Sequence, residues 1–280
     1  WYLSSDAYPA QDVNIRSTAG APYALLDETQ NYRLLEKVDA ATAMFRIYPG
    51  AIYLHQAESY LITRLDLQRR TAWARPVSPN YYTRPLENNA VQIIRSLQGC
   101  RLGKVELYWG RVRVTSQVIG FIRQQQYTEA VLSEEALDLP PTAFETQGLW
   151  FDVPDAIRQE VNRQRGDFAG GLHAVEHACI GILPLFALCD RNDIGGLSTP
   201  AHADTGKAQI FIYDGHPGGV GIAAKGYELI RDLWQRTLQV IRECPCDEGC
   251  PSCVQSPKCG SRNQPLDKAA AALILRRLLG

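Results

Sequence analysis

The sequence predicts an α+β chain: a β-rich small barrel or curled sheet, then an α/β domain carrying a Cys-rich loop. Three observations predict it. Short apolar runs separated by turn residues fill the first half. The apolar period lengthens to that of helices after residue 150. Five of the eight cysteines crowd into one stretch near the end: Cys244, Cys246, Cys250, Cys253 and Cys259.

The elements follow in order. Val13–Arg16 reads as a short strand. Met44–Tyr48 alternates as a strand would, and Pro49-Gly50 turns the chain. Ile52–His55, Tyr60–Leu65 and Thr71–Arg75 continue the series. Val91–Ser96, Val105–Trp109 and Val118–Ile122 extend it, with Gly110 as punctuation. Thr128–Thr146 is acidic, contains Pro140-Pro141 and reads as part of a connector. The expected division is 1–125 β-rich, 126–148 connector and 149–280 α/β. Pro154–Gln164 fits a short helix. His173–Cys189 has helical length, with a kink or restart at Pro184 because a proline cannot donate within a helix. Asp190–Ser198 reads as a turn and Gln209–Tyr213 as an apolar strand. A glycine loop, Asp214–Gly221, leads into a helix over Ile222–Ile241, and Lys268–Leu279 closes the chain as an amphipathic helix.

Composition sets bounds. A length of 280 residues allows one large domain or two ordinary ones. No apolar run looks long enough to cross a membrane, and no secretory signal opens the chain. The start at Trp1 suggests an excised piece of a longer protein. The net charge of −1 hides an asymmetry: residues 1–123 carry 15 Lys+Arg against 10 Asp+Glu, the remainder 14 against 20. Arginine dominates the cations, and its planar fork suits phosphates and bases. The pattern permits a nucleic-acid partner and does not require one.

Glycine and proline between the clustered cysteines make a turn-rich loop that can fold thiolates around one point. Zinc takes four such ligands at roughly 2.3 Å, so a structural zinc site is expected. A disulfide framework fits poorly, because Cys100, Cys179 and Cys189 are scattered and Cys244 and Cys246 are too close. A redox pair at Cys250 and Cys253 would open a helix, whereas Pro257 and Gly260 follow instead. Which four of the five cysteines serve is open on spacing alone.

Three other features carry chemistry. The strand–glycine turn–helix around Asp214, Gly215, His216, Gly218 and Gly219 could offer free N–H groups to a phosphate; a tight packing turn is the plainer reading. His173, Glu176 and His177 form H-x-x-E-H on one helical face, the inverted zinc-protease pattern; a core helix with a bonded polar face is the plainer reading. Arginines interleave with aromatics, notably Tyr60 with Arg64, Trp73 with Arg75, Tyr82 with Arg84 and Trp109 with Arg111, as in single-strand binders. Period-two alternation of an ordinary sheet explains the same spacing. No Gly-x-x-x-x-Gly-Lys-Ser/Thr occurs, nor an Asp-Glu-x-His box.

Several of these stretches together resemble the MrfA-type repair helicases. They are I-F-I-Y-D-G-H-P-G-G-V-G-I-A from Ile210, C-P-C-D-E-G-C-P-S-C-V-Q-S-P-K-C-G from Cys244 and N-Q-P-L-D-K from Asn263. G-G-L-H-A-V-E-H-A from Gly170, P-G-A-I-Y-L-H-Q from Pro49, E-S-Y-L-I from Glu58 and Y-Y-T from Tyr81 add to them. The resemblance spans nearly the whole chain and is most specific in its last third. It implies the C-terminal region of a superfamily 2 DEAD/DEAH-like DNA helicase that moves 3′ to 5′ on single strands and serves repair. It implies one structural zinc on Cys244, Cys246, Cys250 and Cys253, with Cys259 a fifth candidate. Both RecA-like motor domains, with their ATP and Mg²⁺, lie outside this chain, so the fragment is not expected to be an enzyme by itself. Expected partners are single-stranded DNA, touched by Arg64, Arg75, Arg84, Arg111 and the glycine loop, and the motor domains of the parent, with no membrane and a cytoplasmic, nucleoid-associated location. A zinc-stabilised protein-interaction module without DNA contact, and a zinc metalloprotease using His173, Glu176 and His177, are the alternatives.

Overall fold

The structure, a computed structural model, describes residues 20–280. The expected strand at residues 13–16 lies outside that range. The described residues form two compact units: residues 20–86 with 118–140, and residues 87–117 with 141–280.

The first unit is built on a sheet with strand order β2-β1-β5-β4-β3. The strands are β1 (Tyr23–Asp27), β2 (Arg33–Val38), β3 (Ile52–His55), β4 (Glu58–Asp66) and β5 (Thr71–Val77). β1 runs parallel to β5 and the other pairs are antiparallel. Tyr48, Tyr60, Ile47, Ile62 and Leu25 fill its core with Phe121. Pro49-Gly50 makes the expected turn. Gly50 has φ +90°, and a Cβ there would stand 2.7 Å from Phe121 Cζ, so backbone and space both demand glycine.

Met44–Tyr48 is not a strand. Helix α1 (Ala40–Arg46) covers most of it, started by the Asp39 carboxylate accepting from Ala41 N at 2.8 Å. Five residues of alternation carry less weight than a capped, alanine-rich turn. The stretch expected as connector is also largely sheet. β8 (Val131–Ala136) pairs with Gly120–Gln124, and β9 (Thr142–Asp152) is a strand of the second unit.

The remaining strand candidates of the first half merge into two long strands, β6 (Tyr81–Leu102) and β7 (Val105–Gln125), which contribute residues to both units. In the second unit they continue a sheet with order β10-β11-β9-β7-β6. β10 (Ile194–Thr199) occupies ground read as a turn. It is an antiparallel edge to β11 (Gln209–Asp214), whose six residues are all buried. Two glycines and a serine disguise β10, which gains its place from the partner strand and not from its own propensity.

Helices cover this sheet: α2 (Asp155–Arg163), α3 (Phe168–Ile182), α4 (Pro184–Ala187), α5 (Ile222–Glu228), α6 (Ile230–Glu243) and α7 (Lys268–Leu279). α3 starts earlier than expected because Asp167 caps it, accepting from Gly170 N at 3.1 Å. The break at Pro184 falls where expected. The single helix expected over Ile222–Ile241 is two, parted at Leu229. Against the expectation from the sequence, the stretch Phe168–Ala187, α3 and α4 together, is by length and composition apolar enough to cross a membrane. Of its apolar 18-residue window 67% is buried inside the protein, the mark of core helices. Close packing with α7 explains its small residues: a Cβ on Gly171 would stand 2.7 Å from Ala270 Cβ.

Candidate metal centre

α6 ends at Glu243 and the cysteine loop begins at once. Tight turns follow: Cys253 N and Val254 N both donate to Cys250 O, at 3.0 and 3.1 Å. These turns bring four sulfurs together. Cys244 Sγ lies 3.5 Å from both Cys246 Sγ and Cys250 Sγ, Cys246 Sγ lies 3.5 Å from Cys253 Sγ, and Cys250 Sγ lies 3.8 Å from Cys253 Sγ. A tetrahedron with Zn–S bonds of roughly 2.3 Å has edges of about 3.8 Å. The four thiols therefore fit a tetrahedral ion, and they leave it no open position.

Electrostatics agree. The backbone N–H of Ser252 holds the Cys250 thiol down at about 7, while burial pushes Cys253 up to about 12. Four adjacent thiolates require a cation among them, and metal binding would release the remaining protons. Lys268, at the start of α7, approaches the same sulfurs. Its Nζ lies 3.4 Å from Cys246 Sγ and donates to Cys244 O at 2.8 Å and to Cys246 O. An ammonium there would offset the excess negative charge of a divalent cation held by four thiolates. Sequence reasoning missed Lys268; its position in the first turn of the helix after the cysteine loop was the available signal.

Cys259 stands elsewhere. Its Sγ lies 3.5 Å from His173 Nε2 and belongs with His173 and His177, their ligand atoms all within 4.8 Å of one another. Burial raises the Cys259 thiol, but polar contacts with His173, His177 and Ser261 and the hydrogen bond from the Asn263 N–H outweigh it and bring it to about 5. Glu176, between the two histidines in sequence, is buried, and burial raises its carboxyl. The inverted-protease reading asks for a distant carboxylate as third ligand; here the third group is a thiol.

Comparison with known proteins bears on the whole chain. The family model described as "MrfA Zn-binding domain" matches residues 175–254, which include all four converging cysteines. An uncharacterized protein of Methanocaldococcus jannaschii, MJ1572.1, is 43% identical over 39% of this chain and 99% of its own length. The chain belongs to the MrfA-type helicase family. Relatives of this MrfA-type chain include ATP-dependent helicase HRQ1 of Saccharomyces cerevisiae, 27% identical over 98% of the chain and 26% of the relative. The uncharacterized ATP-dependent helicase YprA of Bacillus subtilis is 28% identical over 91% of the chain and 34% of the relative. The chain thus spans about a quarter to a third of those helicases. The crystal structure of DUF1998 helicase MrfA bound to DNA matches 99% of the chain and 36% of that protein, with TM-score 0.63 and 24% identity, and shows the shared fold.

In the MrfA-type chain the glycine loop is not an open anion cradle. The buried Asp214 carboxylate accepts from Val220 N (2.6 Å), Gly221 N (2.8 Å) and Ala223 N (2.6 Å). Gly215 N, Gly218 N and Gly219 N donate to Asp193 O, Glu145 O and His216 O. A side-chain carboxylate of the protein itself thus takes the N–H groups at the helix start, backbone carbonyls take those of the three glycines, and His216 Nε2 sits 2.9 Å from Asp193 Oδ1. The tight-turn reading therefore replaces phosphate binding by Gly215, His216, Gly218 and Gly219.

The arginines differ among themselves. Arg111 lies 2.5 Å from Glu145, which Arg113 also engages at 2.8 Å, so a carboxylate already occupies its fork. Arg64 stacks over Trp73 at 3.7 Å from the ring centre, on neighbouring strands β4 and β5. Arg75 stands exposed opposite Leu61 in the same pair. Arg84 lies on β6 in the first unit.

Proposed function

We propose that this chain is a motor-less accessory region of an ATP-dependent helicase, holding one structural zinc at Cys244, Cys246, Cys250 and Cys253 and guiding single-stranded DNA. The convergence of four thiols at tetrahedral spacing, inside the stretch matched by the MrfA Zn-binding domain, carries the reading. A closed thiolate site would supply folding energy and no reaction. ATP hydrolysis, 3′ to 5′ movement and service in DNA repair would belong to the whole parent protein, with RecA-like motor domains as intramolecular partners. The eight free thiols suit the reducing cytoplasm.

DNA contact would fall to the first unit, where Arg64, Arg75 and Arg84 stand among aromatics. Guanidinium charge and stacking hold single strands with little sequence choice. The test is binding of a fluorescent single-stranded oligonucleotide to the parent helicase across a salt series. A steep fall in affinity with salt is expected, reduced in slope when Arg64, Arg75 and Arg84 are changed together to Gln. An unchanged slope sinks the assignment. A protein-docking role without DNA is the second reading, favoured by the exposed Leu185 on α4 and the exposed Leu188 at its end. Photo-crosslinking from the first unit to DNA separates the two, since a docking module yields no adduct.

A further inference from the structure

We infer that His173, His177 and Cys259 form a second metal site, separate from the four-cysteine cluster, that takes a zinc ion and leaves one coordination position open to a cavity.

The helix supplies two ligands on one face, because His173 and His177 are four residues apart on α3. Each ring is fixed by its other nitrogen. His173 Nδ1 lies 2.8 Å from Pro265 O, and His177 Nδ1 lies 2.9 Å from Val254 O. A carbonyl only accepts, so both Nδ1 atoms carry the hydrogen and both Nε2 lone pairs face Cys259. A hydrogen bond from the far ring nitrogen in this way orients metal-binding histidines. The His rings are 4.2 Å apart between centres.

The third ligand comes from the loop after the cysteine cluster. Asn263 pins that loop: its Oδ1 accepts from Ser256 N at 2.7 Å and its Nδ2 donates to Ser256 O at 3.1 Å. Cys259 Sγ, so delivered, also accepts from Asn263 N at 3.2 Å, a bond that favours thiolate. With Zn–N near 2.0–2.1 Å and Zn–S near 2.3 Å, tetrahedral angles put nitrogen and sulfur about 3.6 Å apart. The observed Nε2–Sγ separation for His173 is 3.5 Å. Two imidazole lone pairs and a sulfur facing one another have too few protons for every contact; a cation satisfies all three.

Two imidazoles and one thiolate are a borderline donor set suited to zinc. Three protein ligands distinguish this site from the closed cluster, since three-ligand sites keep a fourth place for water or a small anion. Here that place faces a cavity of ~490 Å³ lined in part by Glu87, Glu176, Ser198, Tyr213 and Lys258. The Cys259 thiolate would offset part of the double charge of the ion, and the buried Glu176 lines the same cavity.

The site stands on different residues from the four-cysteine reading, and metal content tells the two apart. The whole chain, loaded with Zn²⁺, dialysed and assayed by mass spectrometry, should hold about two ions. Cys259→Ser and His173→Ala should each hold about one with an unchanged far-UV spectrum. Co²⁺ loading adds a signature: each of these two variants should lose one set of visible bands while the four-thiolate set remains. If the wild type holds about one ion that disappears in Cys259→Ser, the second site stands and the four-cysteine reading falls. Metal content and Co²⁺ spectra that are identical in the wild type, Cys259→Ser and His173→Ala overturn the inference.

Discussion

Lys268 Nζ donates to the carbonyl oxygen of Cys244 at 2.8 Å, joining the first turn of α7 to the point where α6 ends. The ammonium also faces Cys246 Sγ at 3.4 Å, so one side chain ties helix, loop and ligand charge together. Lys268→Met is expected to weaken zinc retention by about tenfold, the scale of an outer-shell loss at a metal site. Competition with a chromogenic chelator measures it; an unaltered half-point argues against the role.

Zinc removal should act first on the second unit. Structural zinc supplies on the order of 10 kcal/mol to a domain that lacks a preformed site. Chelation should lower the melting temperature and reduce helical far-UV signal as α6 and α7 part. Cys253→Ser should reproduce this without chelator. A melt that is the same with and without complete chelation contradicts the fastening role.

Asp214 should be a stability residue. Its carboxylate serves three backbone N–H groups, and removing it strands donors in a buried turn. Asp214→Ala should cost about 3 kcal/mol, the range for hydrogen bonds to a charged group. Asp214→Asn, which keeps one acceptor oxygen, should cost less. Urea midpoints check the order; equal midpoints for all three proteins refute it.

The helix pair α3–α7 sets a steric test. Gly171→Ala would press a methyl against Ala270 and Ile274, the latter 3.0 Å from the new carbon. Overpacking of this kind costs about 1–3 kcal/mol. A neutral or stabilising effect in thermal unfolding shows that the helices can separate freely.

Acid should loosen α2 from α7. Arg277 Nε and Nη2 lie 2.8 and 2.6 Å from the Glu160 carboxylate, and the hydrogen bond from Arg277 holds that group below the usual 4.5. A carboxyl with a depressed folded-state value stabilises fully above its unfolded value. That contribution disappears as pH falls from 4.5 through the lower folded value. The midpoint gap between wild type and Glu160→Gln should therefore be present at neutral pH and shrink in acid. A gap that widens on acidification reverses the sign and rejects the account.

Much of the site was legible in sequence because its logic is local. Cys244, Cys246, Cys250 and Cys253 lie within ten residues, so turn chemistry alone brings their sulfurs near one another. Pro184 broke its helix for a reason internal to proline. Local pattern misled where a neighbouring strand or cap decided the outcome. Met44–Tyr48 alternates yet is mostly helix under the Asp39 cap, and β10 is a strand only because β11 pairs with it. The glycine loop left an anion site open beside the plainer tight turn, since nothing in its spacing shows that Asp214 folds back onto it.

By itself, then, the sequence determined a β-rich beginning, a helical end and a turn-rich loop that gathers cysteines. Tertiary structure alone decided where Cys259 goes. It lies 86 residues from His173, and their meeting depends on how α3, α7 and the cysteine loop pack. No periodicity encodes that distance, because the energy that closes it comes from a core shared by the whole unit.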